Sequence, residues 1–217
     1  MTHQHRPIQI DIVSDVVCPW CIIGFKQLEQ ALDRVDVTAR LRWHPFELNP
    51  DMPEQGRNLH DHIIGKYGST AEQNEIMRAR LTELGDQLGF SFRFSDESRM
   101  FNTFGAHLLL DWAAEHHCQH KLKLALFSAY FTDGLDVSDT TVLTDIAEQV
   151  GLDPIAAKQV LVSGERAQSV RRKQQFWTSR GVSGVPTMVF DRKYLVTGAQ
   201  GVEQYVELLR RCRADAA

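Results

Sequence analysis

The chain has 217 residues, 43% of them hydrophobic and 24% charged, with a formal net charge of −4; these are the proportions of an ordinary globular protein. A mildly acidic chain without a basic, aromatic-interleaved stripe excludes nucleic acid as the main partner. No apolar run approaches the roughly 20 residues of a membrane span, which excludes a membrane protein of the helical type.

In chain order, the polar start Met1 to Pro7 lacks the apolar stretch of a secretory signal, which predicts a cytoplasmic protein. Ile8 to Val13 reads as a strand, and a helix follows from Pro19 to about Leu32, with Phe25, Leu28, Ala31 and Leu32 at helical spacing. A second strand spans Val37 to Trp43 and ends at Pro45. The stretch from Glu47 to Ser69 is rich in turn residues and reads as a long loop, with at most a short helix near His60 to Tyr67.

From Thr70 to about Gly181 the pattern is helical. It predicts helices over Ala71–Leu88, Asn102–His117, Gln119–Thr132, Asp139–Val150, Asp153–Ser163 and Glu165–Gly181. Strands return at Val185–Phe190 and Lys193–Thr197, joined by Asp191-Arg192 as a hairpin, and a last helix spans about Gly201 to Arg211. The order βαβ, helical block, ββα describes an α/β protein with a thioredoxin-like fold and a large all-helical insertion between its halves. Residues 1–50 and 182–217 would form the thioredoxin-like domain. Residues 51–181 would form the insertion, whose last helix packs back on that domain.

The chemistry concentrates at Cys18-Pro19-Trp20-Cys21, where the first strand runs into a helix. Residues i and i+3 share a helix face, at a separation of about 5–6 Å that a disulfide accepts. Cys18 falls at the N-cap, where free amides and the helix dipole favour a thiolate. Pro19 suits the first helical position. Cys18 is thus expected to be a solvent-facing nucleophile of lowered pKa and Cys21 the buried resolving thiol, with Trp20 shaping the surface between them.

A structural disulfide and half of a zinc site are the competing readings. A reducing compartment disfavours the first. The other two cysteines, Cys118 and Cys212, stand alone and supply no second ligand pair for the other. His116 and His120 have the i,i+4 spacing of a metal pair or of an exposed helix face. Asp15 is either a turn aspartate or a carboxylate that relays the resolving thiol's proton. Asn102 is an N-cap or a groove residue. Pro186 enters a strand, and a proline there is either a strand-start trans residue or a cis one.

Several segments together resemble a known family. They are Ser14 to Cys21 with Gly24, Trp43-His44-Pro45-Phe46-Glu47-Leu48-Asn49-Pro50, Phe101 to His107, Leu126 to Phe131, Gly181 to Thr187, and Gly198-Ala199-Gln200. The chain resembles the thioredoxin-fold proteins of the DsbA group. It is most similar to the FrnE-type branch, a neighbour of the kappa-class glutathione transferases and 2-hydroxychromene-2-carboxylate isomerases. Ile22 departs from the aromatic residue common after the second cysteine.

The resemblance implies that Pro186 is cis and packs against the dithiol, and that Val185 offers its backbone to an extended substrate, as in strand addition. It also implies that Asn102 and His107 line the groove facing Cys18. The implied function is thiol–disulfide exchange on a disulfide-containing protein or peptide or on glutathione. Glutathione or a thioredoxin system would be the external reductant, with no bound cofactor, metal or nucleotide. The alternative is a glutathione-dependent isomerase or transferase acting on a small aromatic compound. Either a monomer or a homodimer is compatible with the sequence.

Overall fold

In a computed structural model describing residues 6–215, the first element is β1 (Ile8–Ser14), the strand around which the sheet is built. Ile10, Ile12 and Val13 are fully buried, and almost every residue of β1 is inaccessible on both faces. That is the expected environment of a strand with neighbours on both sides, and here it buries Asp11 and Ser14 as well.

Helix α1 (Pro19–Val35) follows, with Cys18 as its N-cap and proline in its first turn. It extends past Leu32 and stops at Asp36, whose left-handed φ of 52° breaks the helical hydrogen bonding. Strand β2 (Ala39–Pro45) lies parallel to β1, so Ile12 stands opposite Trp43 and Ser14 opposite Pro45. The strand therefore starts two residues later than its composition suggests and includes the proline, which an edge strand tolerates.

The inserted segment is helical as expected, apart from one short ribbon. Two short strands, β3 (Arg57–Asn58) and β4 (Arg99–Met100), pair as an antiparallel ribbon. Two-residue strands have no periodicity to read, and their pairing depends on contacts about forty residues apart. Between them lie α2 (Leu59–Tyr67), capped by Asn58, and α3 (Ala71–Gln87). Thr70 and Gln73 form a reciprocal capping box at the start of α3.

The remaining inserted helices are α4 (Phe104–Glu115), α5 (Gln119–Phe131), α6 (Thr140–Gln149), α7 (Pro154–Ser163) and α8 (Ala167–Thr178). Helix α4 starts two residues after Asn102, because the Asn102 side-chain oxygen accepts the Phe104 N–H at 2.9 Å and holds the chain in a turn there. His116 is the C-cap of α4 and His120 lies in the first turn of α5, so a break separates them and the i,i+4 register is lost. His120 instead accepts the Trp43 indole N–H at 3.1 Å.

Strands β5 (Thr187–Phe190) and β6 (Tyr194–Thr197) complete a sheet ordered β2-β1-β5-β6. They join through the three residues Asp191, Arg192 and Lys193, one more than the sequence suggests; the first two are at positive φ, and the Lys193 N–H donates to the Phe190 carbonyl at 2.9 Å. Helix α9 (Val202–Asp215) packs along α1, and the Gly201 N–H donates to Gln27 Oε1 at 2.9 Å. Helix α8 lies on β2, with the Trp177 and His44 rings 4.8 Å apart.

Apart from a small separate cluster of Val13, Trp177 and Val182, one large apolar core joins the sheet to the inserted helices. Phe25 of α1, Trp43 of β2 and Phe127 of α5 form one aromatic chain through it. The inserted helices thus share the interior of the sheet unit, and α5 brings its side chains beneath the end of β1.

Candidate active site

Cys18 and Cys21 are free thiols at the head of α1, and the Cys21 N–H donates to the Cys18 carbonyl at 3.1 Å. Cys18 is not solvent-facing as its N-cap position suggests. It is 3% exposed and Cys21 is wholly buried, because the chain before β5 folds over the helix terminus. The Cys18 thiol makes no capping bond to α1 and points instead toward the Val185 carbonyl, with Sγ 3.6 Å from the oxygen. The Val185–Pro186 peptide is cis. Gly24 permits the approach of this loop, since a Cβ there would stand 3.3 Å from Pro186 Cγ and 3.5 Å from Ala199.

A buried polar layer lies below the thiols. Asp15 is inaccessible to solvent; its two carboxylate oxygens accept the Val16 and Leu48 N–H groups, each at 2.7 Å. His107 Nε2 stands 2.9 Å from the Phe46 carbonyl and 3.4 Å from Asp15 Oδ1. Both are acceptors, so Nε2 carries a hydrogen. Burial pushes the Asp15 pKa up, but the His107 contact, the Leu48 N–H and Lys123 outweigh it and hold the carboxyl below its ordinary value. Asp15 is therefore a buried carboxylate tied to β2's exit.

Lys123 of α5 completes the layer. It is 1% exposed, its ammonium lies 4.8 Å from the Phe127 ring and 5.5 Å from Trp43, and burial depresses its pKa to about 8. The attraction of Cys21, Asp15 and Cys18 acts in the opposite direction and is the smaller effect. Sequence reading missed this lysine. The available signal was its position at i−3, i−4 and i−7 from Leu126, Phe127 and Tyr130, an apolar face on which a lysine is out of place.

The two thiols titrate as one system. Burial raises Cys18 well above the ordinary cysteine value, and its hydrogen bond and charge contact with Cys21 add to that. Cys21 is equally desolvated, yet the hydrogen bond from Cys18, the Lys123 charge and Ser14 bring it below. The pair therefore shares its first negative charge, which the Lys123 ammonium helps to hold, and a proton crossing between the sulfurs places that charge on Cys18 for attack.

A cavity of about 500 Å³ opens beside Cys18, and Pro19, Trp20 and Val185 border it. Cys21, Asn102 and His107 do not. Asn102 ties its loop to the Met52 carbonyl at 3.3 Å, and His107 is packed beneath Asp15. The structure therefore gathers Cys18, Pro19, Trp20, Val185 and Pro186 at the reacting end, and Cys21, Asp15, His107 and Lys123 behind it. On α8, Arg171 pairs with Glu47 and Lys173 with Asp111.

A strand ending in a helix-capping C-x-x-C, faced by a cis-proline loop, with helices inserted before that loop, matches the DSBA-like thioredoxin domain over residues 9–210. The chain belongs to the DsbA-like thioredoxin family. Its activity class is thiol–disulfide oxidoreduction. The crystal structure of a probable DsbA oxidoreductase from Streptomyces coelicolor is similar at 29% identity and a TM-score of 0.90, covering 97% of this chain and 92% of that one. The uncharacterized Bacillus subtilis protein YwbO is 26% identical over 200 residues, 91% of this chain and 94% of YwbO. The cytosolic disulfide reductase DsbM from Pseudomonas aeruginosa, solved with GSH, shares the fold at 16% identity and a TM-score of 0.61, over 95% of this chain and 96% of that one. No helix among the described residues is long and apolar enough to cross a membrane.

Proposed function

We propose that this DsbA-like chain works as a disulfide reductase of the cytoplasm, with Cys18 attacking and Cys21 resolving. The observation that carries the reading is the asymmetry of the pair. Cys18 borders the cavity, whereas Cys21 is sealed behind it over a buried ammonium.

The Cys18 proton passes to Cys21, and the Cys18 thiolate attacks one sulfur of the substrate disulfide. A Cys18–substrate disulfide forms and the other substrate half leaves as a thiolate. Cys21 then gives its proton to the departed substrate thiolate, with Lys123 holding the charge that results, and attacks Cys18 Sγ. The mixed disulfide breaks, the second substrate thiolate leaves, and the Cys18–Cys21 disulfide carries the two electrons' worth of oxidation. Two molecules of glutathione, or one dithiol of a thioredoxin system, return the pair to the reduced form. Asp15 stays ionised through these steps and orients the layer through His107 and the Leu48 amide.

The cytosolic setting and bound glutathione described for the Pseudomonas aeruginosa relative support the compartment and the reductant. Insulin reduction by wild type, Cys18→Ser and Cys21→Ser tests the reading. Wild type should turn over, Cys18→Ser should not, and Cys21→Ser should accumulate a mixed disulfide on Cys18. Turnover that survives Cys18→Ser would overturn it, as would a glutathione titration that never forms the Cys18–Cys21 bond.

A further inference from the structure

The cavity beside Cys18 continues well past the reacting sulfur. It runs between α2 and α3 to an apolar inner wall of Leu81, Phe94, Met100, Tyr130 and Phe131. Its volume of about 500 Å³ lies in the range of small-molecule sites, roughly 300–1,000 Å³. At its rim Tyr67 and Met77 are 60% and 40% exposed, so the apolar character reaches the surface.

Two unusual polar atoms lie in this wall. Among the described residues, three buried side-chain nitrogen or oxygen atoms have no hydrogen-bond partner, and two of them, Asn74 Nδ2 and Arg78 Nη2, belong to cavity-lining residues. Asn74 is 8% exposed, and its oxygen is already engaged by the Ser69 hydroxyl at 3.1 Å. Arg78 has only a long contact, 3.8 Å, from its other nitrogen to the exposed Asp96. The two residues are one turn apart on α3, so they share a face. Buried donors without acceptors are rare and costly. No aspartate or glutamate lines the cavity, and its other ionisable side chains include His60 and His62.

We propose that the cavity is the binding site for the non-reacting arm of a low-molecular-weight disulfide, an arm that is apolar along its length and ends in a carboxylate. The arm lies against the aromatic inner wall, and Asn74 and Arg78 donate to the carboxylate. A leucine or phenylalanine side chain of a protein substrate would fill the same space but leave both donors unpaired. This inference rests on the exchange chemistry of Cys18 proposed above: Cys18 forms a bond to the sulfur that bears the arm, the partner thiolate leaves, and Cys21 then releases the arm as a thiolate. The reducing equivalents come from an external thiol, as in the reaction on any other disulfide.

The test compares dithiodibenzoate and longer aryl-alkyl dicarboxylate disulfides with their dimethyl esters, in wild type, Arg78→Gln and Asn74→Asp. At least one acid should exceed its ester in kcat/KM by about 10- to 100-fold, the effect of a charge-assisted pair. Arg78→Gln and Asn74→Asp should remove most of that margin while ester and insulin rates stay within about threefold. Equal rates for every acid and its ester, or variants that slow acid, ester and insulin alike, would overturn the proposal.

A second measurement separates this failure from failure of the redox reading. Calorimetric binding of phenylbutanoate and its methyl ester to a Cys18→Ser, Cys21→Ser protein reports on the cavity alone. The acid should bind about tenfold or more tightly than the ester, with the margin lost in Arg78→Gln. No binding, or equal binding, would refute the cavity assignment even where insulin reduction proceeds normally.

Discussion

Replacing Lys123 with methionine should make the reduced protein more stable at neutral pH. The ammonium is buried, and its pKa falls from 10.5 to about 8, which corresponds to about 3 kcal/mol against the charged form. The sign follows from the depressed value. Below pH 8 the folded state carries the whole penalty, and as pH rises from there toward 10.5 the penalty disappears, because the unfolded chain then loses the same proton. Methionine keeps nearly the same volume, so little packing is lost. The substitution also forfeits the attraction of the ammonium to the Phe127 and Trp43 rings, about 2 kcal/mol when desolvated.

The net gain expected at pH 7 is about 1–3 kcal/mol, or a rise in Tm of roughly 3–10 °C for a chain of this size. Urea unfolding of reduced wild type and Lys123→Met across pH 7 to about 10.5 measures it. The advantage of the variant should be largest at the acidic end and should shrink steadily above pH 8. A variant no more stable than wild type at pH 7, or an advantage that does not change with pH, would refute the assignment of a buried charge. The same variant should release the first thiol proton of the pair at higher pH, read by thiolate absorbance, and reduce insulin more slowly.

Asp15→Asn should destabilise the protein by about 2–3 kcal/mol at neutral pH, because an amide cannot accept both backbone N–H groups and turns a donor toward one of them. Since the folded Asp15 pKa lies below 3.8, that deficit should persist above pH 3.8 and narrow as the pH falls through the folded value, followed by acid unfolding of both proteins. Gly85→Ala should lower stability by about 1–3 kcal/mol. Its Cβ would stand 2.4 Å from the Phe90 carbonyl and 2.6 Å from the Phe92 ring, and thermal melting measures the loss. Cys212→Ala should leave insulin reduction unchanged while lowering Tm, since that thiol is buried in the core and distant in sequence from the redox pair.

The two halves of the thioredoxin-like unit were legible because their elements carry local signatures. β1 carries isoleucine at every second position, α1 has its proline in the first turn, and the β5–β6 turn begins with Asp191, a residue type that tolerates positive φ. The positions of Cys18 and Cys21 were legible for the same reason. What governs their titration was not. Cys18 is covered by a loop 167 residues later in the chain, and the pair lies near the ammonium of a lysine from an inserted helix. Neither contact leaves a trace in the spacing of C-x-x-C. His107 and Asn102 were placed in the groove by resemblance, whereas their hydrogen bonds to Phe46 and Met52 put them behind it. The β3–β4 ribbon and the α3 donors depend on tertiary pairing alone.

The sheet order has a consequence for the newborn chain. Ile10 pairs with Phe190, so the central strand acquires its second neighbour only after the 180 residues that follow Ile10 have been made. Until then one side of β1 is an open edge, and the two thiols lack the loop that later covers them. Closing so long a span adds little entropy per extra residue but delays the sheet relative to the locally paired helices. The inserted helices can therefore assemble while the redox pair is still bare. A chain stopped before Val185 would expose two unshielded sulfurs beside an unpaired strand, open to stray oxidation and to edge-to-edge aggregation.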